Sequence, residues 1–268
     1  MKELVMLGTG SALVTHCFNT CFAVKLSEDE YFLTDAGGGN GILRQFELAQ
    51  LDWNKLRYMF VTHGHTDHVL GVIWVIRKIA ELMNQGKYTG KFHIYCHDVV
   101  KNMLRVMTEL TLKKKDLARV GQDILLNELT DGDGVDLADN RLTAFDICSP
   151  KAKQFGYELK FADGLRLCCL GDEPYNEHAE PYAKGADWLL SEAFCKYEDR
   201  DVFRPYEKNH STCKETGEIA AALQVKNLLL YHTEDKTLPR RKVEYTAEAR
   251  KYYDGNIFVP DDLEVIAL

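Results

Sequence analysis

Residues 62–68 read Thr62-His63-Gly64-His65-Thr66-Asp67-His68, a run that places three imidazoles and a carboxylate within six positions. The run follows an apolar, strand-like segment at 56–61 and precedes a stretch from 69 to 76 that is typical of a helix. Because side chains two apart on extended backbone point the same way, His63 and His65 can converge on one metal ion. Asp67 and His68 lie where the chain turns into the helix and can face a second ion. Imidazole and carboxylate are ligands of borderline ions such as zinc, so the run predicts a metal centre.

Three further ligand-type residues, Asp35, Asp172 and His232, also follow short apolar runs that are typical of buried strands. The ends of strands in one sheet can deliver side chains to the same edge. A carboxylate such as Asp172 can bridge two cations, because each of its oxygens has lone pairs to spare. Taken singly, Asp172 also fits a Gly-Asp turn, and His232 fits a core histidine at a strand end. The order of Asp172 and His232 along the chain, after the run at 62–68, favours metal ligation.

The pattern H-x-H-x-D-H at 63–68 resembles the signature of the metallo-β-lactamase superfamily. The D-H-x-x-G form at 67–71 resembles the RNase Z branch, the tRNA 3′-end-processing endonucleases and their phosphodiesterase relatives. Other segments resemble that branch in order along nearly the whole chain: Leu7-Gly8-Thr9-Gly10-Ser11, Asn19-Thr20-Cys21, Asp35-Ala36-Gly37, Gly171-Asp172, His210-Ser211-Thr212 and Tyr231-His232-Thr233.

The resemblance implies two divalent metal ions, with zinc as the leading candidate and manganese as the alternative. The residues that it implies as ligands are His63, His65, Cys148 and Asp172 for the first ion, and Asp67, His68, Asp172 and His232 for the second. Asp35 would support the metal site from behind. Asp67 would also position or deprotonate the attacking water, and His210 would protonate the leaving oxygen. Taken alone, His210 fits the start of a helix with Ser211 or Thr212 as the cap.

Cys148 departs from the family pattern, because it stands where relatives keep a third histidine shortly before a Gly-Tyr pair, here Gly156-Tyr157. A thiolate can bind zinc, with a Zn–S distance of about 2.3 Å. It would bias the site towards softer ions and away from manganese. The alternative is that Cys148 is a small buried residue and that the first metal site is incomplete.

The segment between Cys148 and Asp172 is a second departure from the RNase Z pattern. RNase Z proteins that bind tRNA carry a long flexible arm there, whereas this chain has 24 positions. Apolar runs on either side of Asp163-Gly164 predict a β-hairpin that leaves no room for an arm. The resemblance therefore carries over the chemistry better than the tRNA substrate.

The charge balance also argues against a large nucleic-acid footprint. The formal net charge is −8, whereas nucleic-acid binding needs a basic surface that displaces counterions. Two local patches, at 101–119 and 236–251, nevertheless hold more basic than acidic residues. Each is either a solvated helix face or a phosphate-binding rim, and the rim is more credible for the second patch, which follows His232 closely.

The remaining composition is that of an ordinary globular protein. The 268 residues can form one large domain, and no apolar run approaches the length of a membrane span. No signal peptide is evident, and eight cysteines without C-x-x-C pairs suit a reducing cytoplasm. The family resemblance implies a homodimer. Strand-like runs recur at 3–7, 20–26, 30–34, 57–61, 92–96, 141–147, 155–161, 165–170, 187–190, 227–231 and 263–267, and helical stretches fall near 41–50, 69–84, 98–118, 213–224 and 243–253. This pattern predicts an α/β or α+β domain with two sheets, and the resemblance implies an α+β four-layer αβ/βα sandwich, the metallo-β-lactamase fold.

Three classes of function stay open on these residues. The favoured one is a metal-dependent hydrolase in which two metal ions activate a hydroxide that cleaves phosphodiester bonds. RNA is one candidate substrate of such an enzyme. The second is a hydrolase of another ester, such as a cyclic nucleotide, thioester or lactone, because the fold hosts many chemistries. The third is a non-catalytic metal-binding protein in which Cys148 marks a degraded first site. The motifs at 67–71 and 210–212 favour the first class over the second.

Overall fold

The computed structural model describes residues 2–268, which form two compact units, each built around one seven-stranded sheet. The first unit comprises residues 2–8, 18–129 and 262–268, and the second comprises residues 9–17 and 130–261. The chain passes from one unit to the other after residues 8, 17, 129 and 261, so neither unit is a continuous segment of sequence.

The first unit contains a mixed sheet whose strands, numbered in chain order, are β1 (Glu3–Gly8), β2 (Cys21–Lys25), β3 (Tyr31–Thr34), β4 (Leu56–Phe60), β5 (Phe92–Cys96), β6 (Ile124–Glu128) and β14 (Val265–Ala267). Their order is β14-β1-β2-β3-β4-β5-β6, antiparallel from β14 to β3 and parallel from β3 to β6. The helices are α1 (Gly41–Leu48), α2 (Thr66–Asn84), α3 (Asp98–Thr111) and α4 (Lys114–Leu117). Buried apolar residues recur every three or four positions along α2, which packs that face on the core.

The second unit contains a sheet made of β7 (Gly134–Leu137), β8 (Asn140–Asp146), β9 (Phe155–Lys160), β10 (Arg166–Cys169), β11 (Trp188–Glu192), β12 (Asn227–Tyr231) and β13 (Asn256–Phe258). Their order is β13-β12-β11-β10-β9-β8-β7, parallel from β13 to β10 and antiparallel from β10 to β7. The helices are α5 (Glu180–Ala183), α6 (Arg200–Phe203), α7 (Cys213–Ala222) and α8 (Leu238–Ala249). Parallel strands end at a common edge, so residues that follow β10, β11 and β12 emerge together.

The elements expected from the sequence are present, with corrections at their boundaries. The helix expected over 98–118 is divided, because Leu112 is extended and separates α3 from α4. The helix expected over 243–253 instead begins at Leu238, with Pro239 in its first turn, where the missing N–H costs nothing. The short strands β6, β7 and β13 were not expected. The hairpin between Cys148 and Asp172 is confirmed: β9 and β10 pair antiparallel, and Gly164, at φ +90°, donates its N–H to the Phe161 carbonyl at 2.8 Å.

Gly71 allows α2 to approach the backbone that follows β3. A Cβ at this position would lie 1.8 Å from the carbonyl oxygen of Ala36, a backbone atom that cannot swing aside. The Gly71 N–H donates to the Gly37 carbonyl at 2.8 Å, and the Ala36 N–H donates to the His68 carbonyl at 3.1 Å. The glycine of the D-H-x-x-G motif therefore serves the packing that brings the start of α2 against the residues after β3.

We expect Gly71→Ala to lower the free energy of unfolding by about 1–3 kcal/mol or more, because that is the typical cost of forcing extra atoms into a packed site. Gly39→Ala is the matched control, because a Cβ there meets no atom within 4 Å. The control should stay within about 0.5 kcal/mol of the wild type. Urea titrations followed by circular dichroism measure both variants. Equal stability of Gly71→Ala and Gly39→Ala would show that the close approach to Ala36 is not a constraint on the fold.

Candidate metal centre

The first unit gathers imidazoles at the end of β4 and the start of α2. His63 Nε2 lies 2.8 Å from His65 Nδ1, and the ring centroids of His63 and His68 are 4.3 Å apart. Asp67 Oδ2 lies 3.3 Å from His68 Nε2. His63, Asp67 and His68 are buried, and His65 is half-buried. The run at 62–68 therefore brings its histidines together as the sequence predicts, and close to one carboxylate.

Asp35 supports this cluster from the end of β3. Its carboxylate accepts hydrogen bonds from the Thr62 N–H at 2.8 Å and the Thr62 hydroxyl at 2.7 Å. Its Oδ2 also lies 2.8 Å from His68 Nδ1. A carboxylate that holds one ring nitrogen of a histidine fixes the tautomer and leaves the other nitrogen as the ligand atom. The expected supporting role of Asp35 thus has a geometric basis within this unit.

The second unit gathers Asp172, His210 and His232, whose ligand atoms all lie within 4.8 Å of one another. His232 Nε2 is 3.5 Å from Asp172 Oδ2, and the His210 and His232 ring centroids are 5.1 Å apart. The side-chain amide of Gln154 donates to Asp172 Oδ1. His232 itself has φ +56°, a left-handed conformation that costs a non-glycine residue energy and is typical of functional positions.

His210 lies within this group and also faces a buried carboxylate that the sequence did not single out. Its ring is stacked on Phe194 at 5.1 Å, and its Nδ1 lies 3.6 Å from Oε2 of Glu192, a fully buried residue at the end of β11. The other Glu192 oxygen accepts hydrogen bonds from the Ser211 N–H and hydroxyl. Only the position of Glu192, at the end of an apolar strand between two similar strands, could have indicated it in advance.

Burial shifts the pKa of both Glu192 and His210. It raises the pKa of Glu192 to about 8, against the lowering effect of the Ser211 hydrogen bonds. It lowers the pKa of His210 to about 3, and the neighbouring His232 adds to that decrease. Both effects arise because a charged group loses solvation in the interior. Near neutral pH the proton of this pair therefore resides mainly on Glu192, within reach of His210.

Glu173 connects three loops of the second unit beside the cluster. The Lys151 ammonium lies 2.8 Å from Glu173 Oε1 and donates to the Lys208 carbonyl at 3.0 Å. The side-chain amide of Asn209 donates to the other Glu173 oxygen, and Asn209 has φ +53°. Burial raises the pKa of Glu173, whereas Lys151 lowers it. The loop that precedes His210 is thereby tied to the residue that follows Asp172.

Cys148 does not join either cluster in the described residues. It is exposed, so the alternative of a small buried residue is wrong. It belongs to none of the groups of three ligand atoms that residues 2–268 bring within 4.8 Å of one another. Its N–H donates to Asp146 Oδ1 at 2.8 Å, and its φ is +58°. Partial desolvation, with Asp146 and Asp131 nearby, raises the pKa of the thiol. Its role as a ligand stays a prediction.

The second basic patch differs from an open phosphate-binding rim. Arg241 is fully buried, and its guanidinium donates to the hydroxyls of Thr9 and Thr233 and to the Pro260 carbonyl. Arg240 lies 3.4 Å from Glu244. In the first patch, Arg105 pairs with Glu109 at 2.9 Å and Arg119 with Asp123 at 2.7 Å. These pairs leave lysines 113–115 as the exposed cationic stretch of the first patch.

The donor sets of both units fit divalent metal ions. Imidazole nitrogens and carboxylate oxygens are the ligands that zinc takes in catalytic sites, and the carboxylate behind His68 is the partner such a ligand needs. All eight cysteines lie in the described part of the chain, and each is a free thiol. None of the helices described for residues 2–268 combines the length and apolarity needed to cross a bilayer.

Sequence comparison relates the chain to known proteins over nearly its whole length. Residues 30–233 match the β-lactamase superfamily domain. The Ribonuclease Z of Thermococcus onnurineus is 25% identical over an alignment that covers 99% of this chain and 94% of that protein. The Ribonuclease Z of Methanothermobacter thermautotrophicus is 26% identical, with 99% and 96% covered.

Solved structures give the same result for the fold. The metallo-β-lactamase fold protein YhfI from Bacillus subtilis superposes with a TM-score of 0.78 at 18% identity, covering 99% of this chain and 98% of that one. The short form of human tRNase Z (ELAC1) superposes with a TM-score of 0.78 at 20% identity, with the same coverage. The expected α+β sandwich of the metallo-β-lactamase type is therefore confirmed.

Proposed function

The chain belongs to the β-lactamase superfamily, and on that premise we propose that it is a metal-dependent phosphodiesterase of the RNase Z type. One observation carries the proposal: His210, backed by the buried Glu192, lies in the same group as the metal-ligand candidates Asp172 and His232. Cleavage of a phosphodiester needs ligands for divalent ions and a proton donor for the leaving oxygen. The similarity to proteins named Ribonuclease Z supports the same reaction class.

We assign the ligand residues that the superfamily motifs imply to a dinuclear metal centre. The residues assigned to it are His63, His65, Asp67, His68, Asp172 and His232, with Cys148 as the remaining ligand of the first ion. Two divalent ions, when bound, polarise a phosphoryl oxygen and lower the pKa of a water molecule. Zinc suits this nitrogen-rich and oxygen-rich donor set, and a cysteine ligand disfavours manganese.

The protein side chains divide the proton transfers between them. Asp67, a buried carboxylate beside His68, accepts a proton from the attacking water. His210 donates a proton from Nε2 to the leaving oxygen, and Glu192 Oε2, which lies 3.6 Å from His210 Nδ1, replaces that proton once the two atoms approach to hydrogen-bond distance. The raised pKa of Glu192 supports this relay, because the carboxyl holds a proton near neutral pH. Phe194 fixes the plane of the His210 ring by stacking.

The short segment between Cys148 and Asp172 indicates the substrate class. A hairpin with a short turn occupies the place of the tRNA-binding arm, and the net charge of −8 opposes a large polyanion. We therefore favour a compact phosphodiester over tRNA, with RNA ends as one source of it.

We further propose that residues 1–268 act as one domain, because the chain passes repeatedly between the units. The free thiols support a cytoplasmic location, and the homodimer stays a prediction from the family.

We expect the metal-loaded chain to hydrolyse bis(p-nitrophenyl) phosphate and to lose that activity on chelation, because the reaction needs the divalent ions. Release of p-nitrophenol is followed before and after EDTA treatment and after return of zinc. A thioester and a lactone are assayed at the same enzyme concentration. A higher kcat/KM for either of these would replace the phosphodiesterase with a hydrolase of that ester.

We expect His210→Ala to lower kcat by about 10²–10⁴-fold, the usual contribution of a general acid, with metal content unchanged. His93→Ala is the matched control, because His93 lies within β5 beside the rings of Tyr58 and Tyr95 and belongs to none of the groups of candidate ligands among residues 2–268. The control should keep both activity and metal. Elemental analysis of the purified variants distinguishes a role of His210 as a general acid from a role as a metal ligand. Loss of about one ion per chain would make His210 a metal ligand.

We expect X-ray absorption at the zinc edge to detect a sulfur scatterer at about 2.3 Å in the wild type, because Cys148 stands at the position of the third histidine. In Cys148→Ser that scatterer should disappear, since Cys148 is the cysteine that stands at the position of a motif ligand. Cys148→His should retain or increase hydrolysis, because it restores a nitrogen ligand. A wild-type spectrum fitted by nitrogen and oxygen alone would exclude Cys148 from the metal shell.

A further inference from the structure

A cavity of about 290 Å³ opens beside His210 in the second unit. The side chains that shape its walls are Pro174, Tyr175, Tyr206, Glu215, Thr216 and Ile219, and Ser191, His210 and Ser211 complete it. Its volume lies at the lower end of the range of small-molecule sites, about 300–1,000 Å³. It can therefore take one group the size of a nucleoside and is too small for a folded polynucleotide. Neither the metal ligands nor the proton relay account for it.

The lining of this cavity favours a flat, uncharged ring. Two tyrosines, a proline and an isoleucine supply the apolar surface, and no lysine or arginine is among the described residues that line it. A phosphate group would therefore lack a countercharge there. The Tyr206 side chain is 53% exposed, so its ring face can receive a ligand ring without first leaving the core. Stacking on such a ring is the usual way in which proteins hold a nucleobase.

Glu215 supplies a polar acceptor at the same wall. Its Oε2 accepts from the N–H and hydroxyl of Thr212, which caps α7. Its Oε1 accepts from the Tyr206 hydroxyl. Because a carboxylate oxygen has two lone pairs, Oε1 keeps one for a further donor. An exocyclic amine is such a donor, whereas a carbonyl at the same place would meet a negative charge.

We propose that this cavity is the subsite for the leaving nucleoside of the substrate and that it selects an amino-bearing nucleobase. The inference rests on the proposed function, in which His210 protonates the leaving oxygen. The departing group is bonded to that oxygen, so it lies beside His210 and across the leaving oxygen from the phosphorus, and His210 lines the cavity. The preferred substrates are accordingly short nucleotide phosphodiesters in which an adenine, guanine or cytosine nucleoside is the leaving group.

Binding of free nucleosides to the zinc-loaded full chain tests the subsite without any catalysis. Saturation-transfer NMR and calorimetry are used with adenosine, with inosine, in which a carbonyl replaces the amine, and with ribose. We expect adenosine to bind at least threefold more tightly than inosine and ribose not to bind. Tyr206→Ala should weaken adenosine binding about tenfold through loss of stacking, and Tyr206→Phe should stay within about twofold of the wild type. The backbone bonds of this loop, such as His210 N–H to the Pro205 carbonyl, do not involve the Tyr206 side chain, so we expect the loop to keep its conformation in both variants.

Tyr252→Ala is the matched control, because Tyr252 is also a partly exposed tyrosine near α7 but lies outside the cavity. It should bind adenosine as the wild type does. Equal affinity of Tyr206→Ala and Tyr252→Ala for adenosine, or no adenosine binding to the wild type, would overturn the subsite. If adenosine binding depends on Tyr206 but adenylyl-adenosine is not cleaved, the subsite stands and the proposed hydrolysis falls. If adenylyl-adenosine is cleaved with a KM that Tyr206→Ala leaves unchanged, the hydrolysis stands and the subsite falls.

Discussion

The carboxylate of Asp35 is the contact on which the histidine cluster of the first unit depends. It lies at the end of β3, is almost fully buried, and accepts from the Thr62 N–H, the Thr62 hydroxyl and His68. A buried carboxylate is tolerated only when its oxygens are hydrogen-bonded, so these partners and Asp35 require one another. The contact fixes the end of β4 and the first turn of α2 relative to β3. The histidines at 63, 65 and 68 take their positions from that arrangement.

Three residues that the superfamily motifs assign to the metal centre or its support adopt backbone conformations that disfavour their own side chains. Asp35, Cys148 and His232 all have φ between +54° and +58°, and each follows the end of a strand. The left-handed conformation turns the chain sharply as it leaves the sheet, and it costs a non-glycine residue on the order of 1–3 kcal/mol. The surrounding sheet and hydrogen bonds must offset that cost. The strained backbone at these three residues and the tight packing around Gly71 thus both restrict which residues the fold accepts at those positions.

Much of this arrangement could be predicted from the sequence, because the functional side chains follow apolar runs at recognisable motifs. The strands before Asp35, His63, Asp172 and His232 were predictable from their short apolar runs, and the candidate ligands from the order of the motifs. Glu192 was not predictable, because it continues an apolar strand and only the fold brings it to His210. Arg241 was misread as part of a basic surface, since a single sequence does not distinguish a buried guanidinium from an exposed one. The start of α8 was displaced for a related reason: its first turn is too basic to resemble a packed face.

The position of β14 in the first sheet has a consequence for how the protein is made on the ribosome. β14 is the last of the described strands, yet it pairs with β1, the first, through Glu3 to Val5. Until residues 265–267 have been synthesised, β1 has only β2 beside it and presents a row of unpaired backbone groups on its other side. The nascent chain therefore exposes that side of β1 for the whole time that residues 130–261 are translated. Vectorial folding can complete the β2–β6 portion early, but the pairing of β1 on its other side has to wait for β14.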